Sequence, residues 1–165
     1  IIKWINRILS WEPNARIVLH GVSMGAATVL MASGEDLPEN VKAVIADCGY
    51  TSEWDEFQRE ADTLHIPWFP VLNATSVLSK IRDGYDFKQA SALAQVKKSR
   101  IPTLFIHGSS DELVPYSMLG ELYAAAACEK EELTVEGAGH ALSSSVAPTL
   151  YWRTVEDFIA KYLDR

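Results

Sequence analysis

The stretch Arg16-Ile17-Val18-Leu19-His20-Gly21-Val22-Ser23-Met24-Gly25-Ala26-Ala27 decides the fold: an apolar strand runs into a Gly-x-Ser-x-Gly turn, and small residues open a helix behind it. A strand that reverses directly into a packed helix leaves no room for side chains beside the turn. Gly21 and Gly25 are therefore expected to admit close backbone approach, and Ser23 is pushed out at the top of the sheet. A serine hydroxyl is a poor nucleophile unaided. Here the following helix points its first N–H groups toward it, and the Met24 N–H is positioned to donate to a developing oxyanion. Two glycines flanking a serine arise by accident in roughly one chain in twenty of this length. What makes this instance informative is its context, Ile17-Val18-Leu19 before it and Ala26 to Ala32 after it.

Working outward, the opening Ile1 to Leu9 has an amphipathic helical pattern with Ile1, Ile5, Ile8 and Leu9 on one face. It has neither an initiating Met nor an N-cap, which predicts further residues upstream of Ile1. After the helix that follows Ser23, Val41 to Ala46 supplies a second apolar strand ending at Asp47. Strand, helix, strand implies a parallel pair with a right-handed crossover. Cys48 to Arg100 is far longer than an ordinary connection and reads as a helical insertion. Trp54, Phe57, Ala61 and Leu64 suit one helix of it, His65 to Pro70 a kinked aromatic segment, and Val71 to Ser79 another helix. Such an insertion at the carboxyl end of a strand is placed to roof a pocket, and its aromatics equally suit packing onto the sheet.

Ile101 to His107 reads as the third strand, with Asp111 in the loop at its carboxyl end. Pro115 to Cys128 is an alanine-rich helix, Glu132 to Glu136 a fourth strand, and Gly137-Ala138-Gly139-His140 its terminal loop. Tyr151 to Leu163 closes the chain as an amphipathic helix with Val155, Phe158, Ile159 and Tyr162 inward. The expectation is one domain over 1–165 with an insertion at about 48–100. Ser23, Asp111 and His140 would all lie on one sheet edge, where catalytic groups of open parallel sheets gather. Asp47 ends a strand on that edge too and is the rival acid.

Composition narrows the partners. The chain has 48% hydrophobic and 22% charged residues, enough for one sizeable core. A net charge of -7 with only 15 scattered Lys and Arg argues against nucleic acid, which needs clustered cations. Cys48 and Cys128 fit no metal spacing and read as small buried residues, so no metal or cofactor is expected. His20 and His107 sit beside glycines at strand ends and read as structural, while His65 could touch a substrate or pack. No apolar run approaches a membrane span and no signal peptide is visible, which leaves cytoplasm and cell surface both open.

Gly21-Val22-Ser23-Met24-Gly25, His107-Gly108-Ser109-Ser110-Asp111-Glu112-Leu113-Val114-Pro115 and Gly137-Ala138-Gly139-His140 together resemble the carboxyl-terminal part of an α/β-hydrolase. The likeness is to bacterial serine hydrolases with prolyl-oligopeptidase-type or dienelactone-hydrolase-type domains, and it covers nearly the whole chain. It implies an α/β fold, a parallel sheet flanked by helices, with Ser23 as nucleophile, His140 as general base and Asp111 as the carboxylate that orients His140. The Met24 N–H would be one oxyanion donor. The strands and loop that precede the first helix in that family, with the second donor, have no counterpart in this sequence. A strand edge at 16–20 would then be free to pair with an upstream segment or a second chain.

The expected activity is cleavage of an ester or other small acyl substrate through an acyl-enzyme. Two readings stand beside it: a truncated or non-catalytic module of this fold, and an acyltransferase or peptidase using the same three residues, since the fold does not fix the acceptor.

Overall fold

The computed structural model describes residues 1–163. Its centre is a four-stranded parallel sheet in the spatial order β1-β2-β3-β4, which is also the chain order. The strands are β1 (Ile17–Val22), β2 (Val41–Asp47), β3 (Thr103–Gly108) and β4 (Lys130–Val135). Register pairs Val22 with Asp47, Asp47 with Ile106, and Gly108 with Val135, so all four strands end on one edge. That edge carries Ser23, Asp111 and His140 in the loops just beyond it.

The helices are α1 (Ile2–Trp11), α2 (Met24–Ser33), α3 (Glu53–Thr63), α4 (Trp68–Asp83), α5 (Ala92–Val96), α6 (Ser117–Ala125), α7 (Ser143–Val146) and α8 (Pro148–Leu163). Side chains alternate across a strand, and here the alternation separates two cores. Val44, Ala46 and Phe105 face one way with Ile5, Leu30, Leu119 and Leu122. Ala43, Ile45, Leu104 and Ile106 face the other way and are covered by Tyr151, Val155, Phe158 and Tyr162 of α8. Both faces of β2 and β3 are therefore apolar, as a sheet covered by helices on each side requires. Emptying such a position, as in Phe105→Ala, costs about 3–5 kcal/mol.

Several boundaries differ from the sequence pattern for local reasons. β3 starts at Thr103 because Ile101 and Pro102 cannot both serve the ladder, the proline having no N–H. The alanine-rich helix is shorter, Ser117–Ala125, and frees Lys130 and Glu131 to begin β4 on the sheet's outer edge. In α1 only Ile5 is fully buried. Ile8 and Leu9 lean on the core, and Ile1 stays 41% exposed. Cys48 is buried and Cys128 only partly so.

Between Cys48 and Arg100 lie α3, α4 and α5. Ser52 caps α3 by accepting the Asp55 N–H at 3.1 Å, and Glu53, Asp55 and Glu56 suit the positive end of that helix. α4 is kinked at Phe69, whose backbone leaves the helical region beside Pro70. Phe57, Leu64, Trp68, Leu72 and Phe87 line an apolar hollow of about 260 Å³ between α3 and α4. Among the described residues, no helix is long and apolar enough to cross a membrane.

Candidate active site

The turn after β1 holds Ser23 at φ 57°, ψ −119°, a left-handed backbone that costs a non-glycine residue about 1–3 kcal/mol. The Ser23 N–H donates to the Asp47 carbonyl at 2.8 Å, which ties the turn to the end of β2. A Cβ on Gly21 would run into the Gly25 carbonyl and stand 2.7 Å from the Ala26 nitrogen, whereas one on Gly25 would meet nothing within 4 Å. The close approach expected of both glycines thus falls on Gly21 alone. Met24 opens α2, so its N–H is one of the first-turn donors without an intrahelical partner, and its side chain is 70% exposed.

His140 follows β4 in a turn with left-handed residues at Gly137 (φ 73°) and Ala141 (φ 57°). Its Nε2 lies 2.7 Å from Ser23 Oγ and its Nδ1 2.8 Å from Asp111 Oδ2. Asp111 has a side chain with no exposed surface, and its Oδ1 accepts the N–H groups of Leu113 at 3.0 Å and Val114 at 2.9 Å. The loops of three strands thus meet in one hydrogen-bonded row. A carboxylate that accepts from one ring nitrogen leaves the other able to accept a proton from a hydroxyl, and can stabilise the imidazolium that would result.

Asp47 is not part of this row. It is 2% exposed, accepts the Ser143 hydroxyl at 3.2 Å and is hydrogen-bonded by Tyr151, while burial pushes its carboxyl above the usual range. Through these bonds it braces α7 and α8. His20 stays exposed on one side, meets the Tyr151 hydroxyl at 3.0 Å through Nε2 and packs against Trp152, and this partial burial lowers its proton affinity. His65 is exposed, with Nδ1 3.1 Å from the Thr63 carbonyl.

Sequence reasoning did not foresee two neighbours. Cys48 is 1% exposed, and burial and then the Asp47 charge push its thiol up to about 12. Cys48, Asp111 and His140 bring potential metal-ligand atoms within 4.8 Å of one another. They suit a metal poorly, because Asp111 and His140 are already bonded to each other and the thiol is held in its protonated form. The other neighbour is His107, 3.2 Å from Asp111 Oδ2. The sequence marks His107 as a structural residue at a strand end and as the start of the His107-to-Pro115 run, but not its contact with Asp111.

A helix-flanked parallel sheet with such a row at its carboxyl edge defines an α/β-hydrolase fold. A family model agrees: the chain belongs to the prolyl oligopeptidase family, whose model matches residues 5–165. The uncharacterized protein YqkD of Bacillus subtilis (strain 168) is 32% identical over 163 residues, 94% of this chain and 53% of its own length. The chain spans about half the length of the curated relatives it matches. The acylaminoacyl peptidase of Pyrococcus horikoshii superposes with a TM-score of 0.73 at 19% identity, covering 98% of this chain and 27% of that one. The esterase domain of a Rhodothermus marinus protein gives 0.63 at 20% identity, over 95% of this chain and 65% of that one. At these identities the two structures speak for the fold.

Proposed function

We propose that the chain carries the catalytic residues of a serine hydrolase that cleaves an ester or related acyl substrate through an acyl-enzyme. The observation that carries the reading is the His140 ring, with Ser23 Oγ at 2.7 Å on one nitrogen and Asp111 Oδ2 at 2.8 Å on the other. Ser23 Oγ attacks the acyl carbon as His140 Nε2 takes its proton, and the carbonyl oxygen becomes an oxyanion facing the Met24 N–H. Collapse breaks the bond to the leaving alcohol, which receives the proton from His140. Water then attacks the acyl-serine with His140 again as base, releasing the acid and restoring Ser23. Family membership supports a hydrolase. The neighbours named for acylaminoacyl peptidase and esterase activity suggest acyl transfer to water as the shared chemistry.

Hydrolysis of a p-nitrophenyl ester under excess substrate tests this. The expected record is a burst of about one nitrophenolate per chain followed by slower turnover, both lost in Ser23→Ala. A burst that survives the substitution would contradict the proposal.

A further inference from the structure

His107 is the penultimate residue of β3 and is 1% exposed. Its Nε2 stands 3.0 Å from the Val114 carbonyl oxygen and 3.2 Å from Asp111 Oδ2. A carbonyl can only accept, so Nε2 carries a proton and donates it to Val114, while Asp111 Oδ2 is a close polar neighbour of the same nitrogen. Val114 in turn donates its N–H to Asp111 Oδ1. His107, Val114 and Asp111 thus close a ring of polar contacts around the carboxylate. Oδ1 accepts the Leu113 and Val114 N–H groups, Oδ2 meets His140 Nδ1 at 2.8 Å, and His107 Nε2 stands against Oδ2 at 3.2 Å as a close polar contact. The Tyr116 ring meets the imidazole edge-on at 5.9 Å and is itself tethered to Thr134 through its hydroxyl, so His107 has little freedom to turn.

We infer that His107 is a positioning residue acting through Asp111, an inference that rests on the Ser23, His140 and Asp111 reading above. Its Nε2–H holds the Val114 carbonyl, and with it the Val114 N–H that binds Asp111 Oδ1, while the ring nitrogen stands against Oδ2. Without it the Val114 turn loses a tether and Oδ2 loses its packing partner, so the carboxylate is less firmly aimed at His140. A histidine that only filled space would supply no such tether. Asp47 from β2 and Glu56 from α3 also act electrostatically on His140, and the Cys48 sulfur lies within 4.8 Å of it. All three stay in place when His107 alone is changed.

The test compares His107→Leu, which removes the N–H at similar bulk, with His107→Gln, whose amide can restore a donor there. Ester hydrolysis is the readout. The expected result for His107→Leu is a kcat lowered about 10- to 100-fold with KM little changed. His107→Gln recovers most of that kcat. A folded His107→Leu with the parent's kcat would overturn the inference, as would equal behaviour of the two variants. Should His107→Leu not fold, nitrogen NMR of the histidine-labelled parent decides. An Nε2–H tautomer of His107 whose proton signal shifts in Asp111→Asn supports the role, and an Nδ1–H tautomer overturns it. Failure of the underlying reading looks different, as hydrolysis that persists in Ser23→Ala.

Discussion

Gly21 lies so close to Gly25 that there is no room for a Cβ between them, and the contact is one-sided. A methyl on Gly21 would collide with the Gly25 carbonyl, which belongs to backbone and cannot move aside, while a methyl on Gly25 meets open space. Gly21→Ala should therefore cost at least about 2 kcal/mol in urea unfolding. Gly25→Ala, in the first turn of α2, should stay within about 1 kcal/mol of the parent and could gain from helix propensity. Equal losses at both positions would mean the turn is not held by this contact.

The two carboxylates at strand ends should separate cleanly. Asp111→Asn presents the wrong histidine tautomer to Ser23, a defect that costs roughly 10⁴-fold in turnover in serine proteases. Asp47 touches Ser143 and Tyr151 instead of His140 Nδ1. Asp47→Asn offers one acceptor oxygen where two stood, so its loss should be mainly in stability, about 1–3 kcal/mol, with a far smaller change in turnover. A larger turnover loss from Asp47→Asn than from Asp111→Asn would transfer the orienting role to Asp47.

Stability should fall below neutral pH partly through His20. His20 is surface-exposed on one side, and its partial burial against Tyr151 and Trp152 lowers its proton affinity from an ordinary value of 6.5. The unfolded chain then binds the proton more readily than the folded one. The contribution is fully present above about 6.5 and is lost as pH falls through the lower folded value. Asp47 has the opposite sign, since burial raises its carboxyl and favours the protonated form in the fold. Comparing urea midpoints of the parent and His20→Gln at pH 7.5 and pH 5.5 isolates His20, and the variant should lose less on acidification. Identical acid losses would show that His20 is as hydrated in the fold as in the unfolded chain.

Local chemistry made much of this molecule readable before any coordinates. Ile17 to Ala27 specifies a strand, a turn and a helix through glycine spacing and apolar runs. Parallel strands joined by helices place the residues after Val22, Gly108 and Val135 on one edge, so the convergence of Ser23, Asp111 and His140 follows from topology. Contacts made across the fold were not readable. Nothing in the chain pattern says that His107, pointing back from β3, would reach the carboxylate four residues later, because that depends on the path of the Ser109 to Leu113 loop. The bond from Ser143 to Asp47 crosses 96 positions, and the short α7 that carries Ser143 has too few residues for a helical period to register. Gly25 misled for a related reason: the motif names two glycines, but which of them is pressed by its neighbour is a property of packing.

The central claim is that Ser23 is the nucleophile, and covalent capture addresses it most directly. A fluorophosphonate probe should form one adduct per chain, mapped by peptide mass spectrometry to Ser23, with labelling abolished in Ser23→Ala and strongly slowed in His140→Ala while both variants remain folded. Labelling at another residue, or labelling of folded Ser23→Ala at the parent's rate, would contradict the account.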